Sequence, residues 1–187
     1  AIWLKQPEPE QVLTGIAYLD FNGDGKKQKS EPFLPGLPVS VAPAFNTASF
    51  NPKRAVSPGN ESVTDKKGAY STPIPSGTWV TSFEVPESLV VTKTSAGDSS
   101  STLVVDIEEG VDFEIWIGLR SATATSVQAP VTTPTGTEEV KGLEVTWGGL
   151  DGIVGTDDDV TFEVPIVDGK VTMEGIPVGN YTAVTTG

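Results

Sequence analysis

Residues 15–31 read GIAYLDFNGDGKKQKSE, a strand-like segment that leads directly into a loop of aspartate, asparagine and glycine. Gly25 stands at position 6 of this loop, where the backbone of a calcium loop must turn sharply. The oxygen-bearing side chains stand at positions 1, 3, 5 and 12, and these are Asp20, Asn22, Asp24 and Glu31. This is the ligand spacing of a calcium loop, so we predict that these four residues bind Ca²⁺. The alternative is a surface turn without a ligand.

The loop follows a predicted strand, whereas the loops of calcium sensors lie between two helices. The predicted ion therefore has a structural role, because no helix pair is available to open. Other strand-like segments recur between the 15 prolines and 20 glycines of the chain. The clearest are residues 12–19, 38–42, 79–85, 89–94, 102–107 and 111–119. No stretch has the apolar period of a helix, which predicts an all-β fold class.

The composition excludes several functions. The chain has a net charge of −13, no histidine and no cysteine. It therefore lacks the commonest general base and the usual ligands of zinc, copper and haem, and no pattern resembles an activated nucleophile. We predict that the chain is not an enzyme. An acidic surface without basic clusters argues against nucleic acid as a partner, and no apolar run is long enough for membrane insertion.

The chain is predicted to contain two related units. Residues 121–137 are rich in serine, threonine and proline and lack aromatic residues, which is typical of a linker. They separate a first unit at 13–120 from a shorter second unit at 138–187, and residues 1–12 form an extended N-terminal segment. Residues 74–80 (IPSGTWV) match residues 176–182 (IPVGNYT), and two upstream segments match in the same order. Such a series of matches indicates a duplicated domain.

The second unit has its own acidic loop. Residues 151–159 read DGIVGTDDD and carry four carboxylates. At neutral pH these groups repel one another unless a cation lies among them. We predict a second cation site formed by Asp151, Asp157 and Asp159. A solvated acidic turn is the alternative.

The second unit is also short, because counterparts of residues 86–119 are missing. A sandwich that lacks strands exposes unpaired backbone groups and apolar core. The terminal residues Ile2, Trp3 and Leu4 are a candidate donor strand that completes a neighbouring subunit. In the alternatives, this segment packs on its own domain, or the chain is excerpted from a longer protein whose second unit is complete. The first residue is Ala1, which predicts a mature or excerpted form.

The quoted segments resemble a known family. Residues 15–25, Glu31–Pro32, residues 36–41, 65–70, 74–79 and 111–119 are similar to the serine-aspartate repeat B-type (SdrD B-like) domains. These are related to the collagen-adhesin B-type (Cna B-like) modules of bacterial surface proteins. Residues 145–162 resemble a variant of the same pattern, and residues 43–60 are an insertion. The resemblance implies tandem immunoglobulin-like or transthyretin-like β-sandwiches, the second incomplete, that bind Ca²⁺ and serve as a rigid spacer.

The leading hypothesis is a non-catalytic component of an extracellular or cell-surface assembly of a prokaryote. It would form a stalk or filament as a homo-oligomer or polymer, stiffened by Ca²⁺ and completed by strand exchange between subunits. The first alternative is an adhesin or carbohydrate-binding module with a surface-protein or glycan ligand. Its candidate stacking residues are Trp79, Trp116, Trp147 and Tyr181. The second alternative is an accessory domain of a larger secreted protein.

Overall fold

The computed structural model describes residues 10–44, 60–123, 126–131 and 140–186. Thirteen strands occur in these ranges, and they contain no helix. The strands are β1 (Glu10–Leu19), β2 (Pro38–Pro43), β3 (Asn60–Val63), β4 (Ala69–Pro75), β5 (Gly77–Phe83), β6 (Leu89–Thr94), β7 (Thr102–Ile107), β8 (Phe113–Ser121), β9 (Ser126–Pro130), β10 (Gly142–Trp147), β11 (Val160–Pro165), β12 (Lys170–Glu174) and β13 (Tyr181–Thr186). The predicted all-β fold class is confirmed. Among the described residues, no helix is long and apolar enough to cross a membrane.

Strands β1–β8 form two four-stranded sheets, ordered β4–β1–β8–β6 and β3–β2–β5–β7. β1 pairs antiparallel with β4 and parallel with β8. In β7, Leu103, Val105 and Ile107 are buried and the residues between them are exposed, which is the two-residue period of a strand with one face in the core. Buried side chains of both sheets belong to one hydrophobic cluster. The first unit is therefore a β-sandwich.

Strands β9–β13 repeat the pairing of β1–β5. β9 pairs with β12 as β1 pairs with β4, and β10 lies between β11 and β13 as β2 lies between β3 and β5. The duplicated turns also match, because the Trp79 indole N–H donates to the Pro75 carbonyl at 3.0 Å and the Tyr181 hydroxyl donates to the Pro177 carbonyl. The duplication found in the sequence therefore has the same local structure in both copies.

The segment predicted as a linker contributes to both units. β8 ends at Ser121, and Ser126–Pro130 forms β9, which takes the place of β1 in the second unit. The described residues after β9 contain no counterpart of β6, β7 or β8. Most of the insertion at residues 43–60 lies outside the described residues, and so do the candidate donor residues Ile2, Trp3 and Leu4. The predicted domain boundaries stay a prediction.

The two units meet at the calcium-type loop that follows β1. The Phe21 ring packs on the Phe162 ring of β11, with 4.9 Å between ring centroids. Gly175 approaches the Phe21 carbonyl so closely that a Cβ at Gly175 would collide with it, and its φ of 66° favours glycine as well. The Ser121 N–H donates to the Gly175 carbonyl at 3.4 Å. One end of the first sandwich therefore lies against the second unit.

Candidate metal centre

Asp20 is the most deeply buried of the predicted ligands, with none of its surface exposed. Its backbone N–H donates to the Leu119 carbonyl of β8 at 2.7 Å. Its Oδ2 accepts hydrogen bonds from the Gly25 N–H at 2.9 Å and from the Thr92 hydroxyl of β6 at 2.5 Å. Asp20 therefore ties the loop to two strands of the sandwich.

The second oxygen of Asp20 has no partner. Asp20 Oδ1 is buried and accepts no hydrogen bond, and the same is true of Gln28 Oε1 in the same loop. A buried polar atom without a partner costs about 1–3 kcal/mol, and more where the group is charged. A cation bound at either oxygen would remove that oxygen's share of the cost. Gln28, at position 9 of the loop, was not among the predicted ligands, although calcium loops often use this position.

The remaining predicted ligands organise the backbone of the loop. Asn22 Oδ1 accepts from the Asp24 N–H at 3.1 Å, and Asp24 Oδ1 accepts from the Lys26 N–H at 2.8 Å. Asp24 Oδ2 accepts from the side-chain amide of Gln28. Gly25 has a φ of 74°, which agrees with the turn predicted at position 6. These hydrogen bonds hold the loop curled, as binding of a cation by positions 1, 3 and 5 requires.

Glu31, the last predicted ligand, is also buried, with 4% of its surface exposed. Its Oε2 accepts from the Gln28 N–H at 2.9 Å. Burial raises the pKa of the Glu31 carboxyl, and the charges of Asp20 and Asp24 act in the same direction, although the N–H groups of Gln28 and Asn22 oppose them. Burial and the same acidic neighbours raise the pKa of Tyr18 to about 12. Burial is the largest cause of both shifts, and the nearby acidic side chains add to each.

Basic side chains that no sequence pattern indicated lie against this loop. Arg120 of β8 covers Gly23, and Lys93 of β6 covers Gly25 so closely that a Cβ at either glycine would collide with the basic side chain. Lys27 lies over the Phe33 ring, with its Nζ 4.5 Å from the centroid. Arg120 and Lys93 come from strands far along the chain, so no local pattern links them to the loop.

The loop does not hold a finished set of acidic ligands. Among the described residues, no three acidic side chains converge closely enough to hold an ion as they stand. Asp24 instead caps the Lys26 N–H, and its other oxygen is bound by Gln28. An ion held by Asp20 would require Asp24 and Gln28 to exchange this mutual contact for contacts with the ion. The oxygen donors fit Ca²⁺ in type, because Ca²⁺ prefers carboxylate and amide oxygens in flexible geometry.

The acidic loop of the second unit is built differently. Asp151 Oδ1 accepts from the Ile153 N–H at 2.8 Å, and Asp159 Oδ2 accepts from the Gly155 N–H at 2.7 Å. The Thr156 hydroxyl lies among the carboxylates, 2.7 Å from Asp158 Oδ1. No carboxylate oxygen of this loop is both buried and without a partner, as far as the described residues show.

Two residues of this second loop differ from the predicted arrangement. Asp157 points to the first unit, where its Oδ1 lies 3.5 Å from the Lys66 Nζ, and both side chains are exposed. Asp158, which the sequence did not single out, takes an inner position and accepts from the Asp151 N–H at 2.9 Å. Burial acts to raise the pKa of the Asp158 carboxyl, but hydrogen bonds from Thr156 and from backbone N–H groups lower it below its usual value.

The four aromatic residues considered as stacking platforms have different surroundings. Trp147 is buried, with 3% of its surface exposed, so its ring faces the core. Trp79 and Tyr181 are partly buried and hydrogen-bonded to the turns that precede them. Trp116 is partly exposed and lies next to Tyr18 and Phe33, with 6.1 and 6.4 Å between ring centroids. Trp79, Trp116 and Tyr181 are all partly exposed, and Trp116 differs from the other two in lying beside the exposed ring of Phe33.

Comparison with solved structures finds bacterial pilins that are similar to this chain at low identity. No family model and no curated protein matches the sequence. The shaft pilin SpaA from Lactobacillus rhamnosus GG is 12% identical, with 95% of this chain and 87% of SpaA covered and a TM-score of 0.43. The minor pilin GBS52 from Streptococcus agalactiae is 15% identical, with 94% and 90% covered and a TM-score of 0.39.

The full-length major pilin SpaD from Corynebacterium diphtheriae is 10% identical, and this chain spans 62% of its length with a TM-score of 0.37. At such identities and TM-scores, these similarities establish no family membership for this chain. The resemblance to SdrD B-like domains stays a prediction.

Proposed function

We propose that this chain is a non-catalytic structural component of an assembly on a prokaryotic cell surface, a stalk or filament subunit stabilised by Ca²⁺ at the loop of residues 20–31. The buried Asp20 carboxylate, with Oδ1 unpartnered, carries this proposal. Its Oδ2 is bound to Thr92 of β6, and the Asp20 N–H is bound to Leu119 of β8. A cation at Oδ1 would therefore stiffen the junction of three strands.

The position of this loop favours a structural role over a sensory or catalytic one. Phe21 packs on Phe162 of the second unit, so a metal-bound loop would also fix how the two units meet. A subunit that transmits force along its length needs this kind of rigid junction. We also propose that copies of this chain polymerise and that the polymer lies on the cell surface.

Calcium binding can be tested on the purified chain by titration calorimetry and thermal unfolding. Extracellular calcium modules bind with a Kd of roughly 10⁻⁴–10⁻³ M. At 1 mM Ca²⁺ this corresponds to about 0.4–1.4 kcal/mol of added stability. We expect Asp20→Asn to abolish this increment, Gln28→Ala to reduce it, and Asp159→Asn in the other acidic loop to leave it unchanged. Equal responses of the wild type and Asp20→Asn to calcium would contradict the assigned site.

The structural role has a separate test. Electron microscopy of the chain in millimolar Ca²⁺ should show filaments or rods, and removal of calcium should shorten or dissolve them. Isolated globular monomers under both conditions would contradict the proposed assembly, whatever the calorimetry shows.

A surface-binding role is the second candidate, and the aromatic surface near the loop favours it. Trp116 and Phe33 lie side by side, Phe33 is 37% exposed, and Lys27 covers its ring. Aromatic rings on a surface commonly stack on sugars or on other apolar ligands. A glycan array with the wild type and Trp116→Ala tests this role, since loss of a signal in the variant would support it and a blank array would exclude it for glycans.

A further inference from the structure

Asn22 is the one asparagine of the chain that is followed by glycine, and both residues are exposed. The backbone nitrogen of the following residue can attack a side-chain amide and release its ammonia, in the reaction called deamidation. A side chain on that following residue crowds the five-membered ring that the attack closes, and Gly23 has none. The Asn22–Gly23 peptide is therefore the position of this chain at which deamidation meets the least steric resistance.

Two hydrogen bonds of the loop arrange the reacting groups. Asn22 Oδ1 accepts from the Asp24 N–H at 3.1 Å, which folds the side-chain amide back over the Gly23 peptide between them. The same bond draws electron density from the amide carbon, Cγ, and makes it a better electrophile. The Gly23 N–H donates to the Asp20 carbonyl at 3.2 Å, and this bond must break before the nitrogen attacks. The loop therefore holds the two groups close together and releases the nucleophile only when it opens.

The charge of Arg120 lies against the same peptide. A Cβ at Gly23 would lie 2.6 Å from Arg120 Nη1, so the guanidinium covers the open face of this glycine. Among the described residues, no carboxylate lies within ion-pair distance of Arg120. Its unpaired charge can stabilise the negative charge that develops on the Gly23 nitrogen and on the attacked amide oxygen. It is also placed to pair with a carboxylate formed at position 22.

We propose that Asn22 is a deamidation site, promoted by the charge of Arg120, at which the loop of residues 20–31 gains a carboxylate. The deprotonated Gly23 nitrogen forms a bond to Asn22 Cγ, and the bond from Cγ to Nδ2 breaks. The Nδ2 amide group takes up the proton that the nitrogen lost and leaves as ammonia. Water then opens the resulting succinimide at either of its two carbonyls, which leaves aspartate or isoaspartate at position 22. No oxidant or reductant takes part.

The two products should change calcium binding in opposite directions, and this consequence rests on the proposed calcium site. Aspartate adds a charged ligand at position 3, between Asp20 and Asp24, and calcium affinity rises with the charge of the ligands. Isoaspartate adds a methylene to the backbone, which displaces the later ligands from the spacing that the loop requires. Bound calcium would in turn hold the loop closed and slow the reaction at Asn22.

Peptide mapping by mass spectrometry tests the reaction on the purified chain, incubated without calcium at mildly alkaline pH. We expect position 22 to be converted far faster than Asn180, the matched control, which is also exposed and precedes Tyr181. Arg120→Met should slow conversion about 5-fold, the effect of one charge at about 4 Å in water, and Arg120→Lys should restore much of the rate. In urea, where Arg120 no longer lies beside Gly23, both variants should match the wild type.

The direction of the Arg120 effect separates promotion from a structural role, because a variant that merely loosened the loop would react faster. Conversion at Asn22 that is no faster than at Asn180 would overturn the inference. So would an Arg120→Met variant that reacts as fast as the wild type or faster.

Calcium provides the second measurement. Millimolar Ca²⁺ should slow conversion in the wild type and have no effect on it in Asp20→Asn, which lacks the charge of the proposed site. Asn22→Asp should bind Ca²⁺ about 5-fold more tightly than the wild type, by titration calorimetry. Conversion at Asn22 that calcium does not slow, together with unchanged affinity in Asn22→Asp, would contradict the calcium site and leave the modification site intact. Calcium binding without conversion at Asn22 would overturn the inference and leave the proposed function intact.

Discussion

The two acidic loops of this molecule use similar residues and reach opposite electrostatic outcomes. In the loop of residues 20–31, Asp20 is fully buried and keeps one oxygen without a partner. In the loop of residues 151–159, the carboxylates bind backbone N–H groups and the Thr156 hydroxyl. The two loops therefore differ in one feature, a buried acceptor that the protein itself leaves unpaired. The proposed calcium site rests on this feature and not on the number of carboxylates.

The largest expected effect is at Asp20, compared with Asp151. In the presence of Ca²⁺, Asp20→Ala should destabilise the fold by about 3 kcal/mol or more, because the Gly25 N–H and Thr92 hydroxyl lose their acceptor. Asp151→Ala, at an exposed turn, should cost about 1 kcal/mol or less. Urea unfolding of both variants measures the difference. Equal losses would remove the distinction between the loops.

Asp20→Asn sharpens the same comparison. The amide retains an acceptor oxygen but carries no charge. In calcium-free protein we expect it to be as stable as the wild type or more stable, since it removes a buried charge whose Oδ1 has no hydrogen-bond partner. In millimolar Ca²⁺ it should be the less stable of the two. A variant that is equally destabilised under both conditions would show that the carboxylate serves only as a hydrogen-bond acceptor.

The curl of the first loop was predictable from its sequence, because Asp20, Asn22 and Asp24 stand at a local spacing and Gly25 permits the turn. That Asp20, Asn22, Asp24 and Glu31 bind a cation stays a prediction. The support from Thr92 was not predictable, since it depends on how β6 pairs with β8 and brings residues 72 positions apart into contact. Likewise, a buried Gln28 Oε1 follows from packing rather than from spacing.

The second loop shows the limit of the same reasoning. The sequence places three aspartates in a row, and no periodicity states which of them faces inward. The turn geometry places Asp158 inside and directs Asp157 to Lys66 of the first unit. Similarly, the composition of residues 121–137 indicated a linker, but five of these residues form β9 because β12 offers an edge for pairing. The composition of a segment indicates how it interacts with water. Whether the segment forms a strand depends on a neighbouring strand that offers a free edge, and composition does not state this.

The next largest effect is expected where the loop of residues 20–31 contacts the second unit. Phe21 packs on Phe162, so Phe21→Ala should cost about 2 kcal/mol, less than a fully buried phenylalanine because the ring is only partly buried. Phe33→Ala, on the exposed surface, is the matched control and should cost about half as much or less. Thermal unfolding measures both. Hydrogen exchange at β11 should increase in Phe21→Ala alone, and unchanged exchange would show that the contact does not couple the units.

The two loops should also respond to pH with opposite sign, in a smaller effect. The pKa of Glu31 is raised from 4.5, so in calcium-free protein its folded form binds the proton more tightly than the unfolded chain. Stability should therefore rise as pH falls from neutral through the folded pKa toward 4.5. The pKa of Asp158 is lowered from 3.8, so its contribution is present above 3.8 and is lost as pH falls through the folded pKa.

Variants separate these two limbs of the pH profile. The measurement is the unfolding midpoint of calcium-free protein as a function of pH. Glu31→Gln should flatten the part of this curve between neutral pH and 4.5. Asp158→Asn should flatten the part below 3.8. The wild type serves as the reference because each variant removes one carboxyl group and keeps every other titratable group. In millimolar Ca²⁺ the Glu31 limb should reverse, since a bound cation favours the ionised carboxylate. A limb that neither variant changes would belong to other carboxyl groups.

The smallest effect is expected for the ion pair between Lys66 and Asp157. Its atoms lie 3.5 Å apart, and the two side chains are 79% and 101% exposed. Water screens such a pair and competes for both charges, so Lys66→Ala should leave the unfolding midpoint unchanged within error. The same result is expected for Asp157→Asn. This variant also tests the predicted second cation site, because Asp157 is one of its predicted ligands and is fully exposed. A calcium response that disappears in Asp157→Asn but persists in Asp20→Asn would reverse the assignment of the two loops, because it would place the ion where the protein already satisfies its own carboxylates.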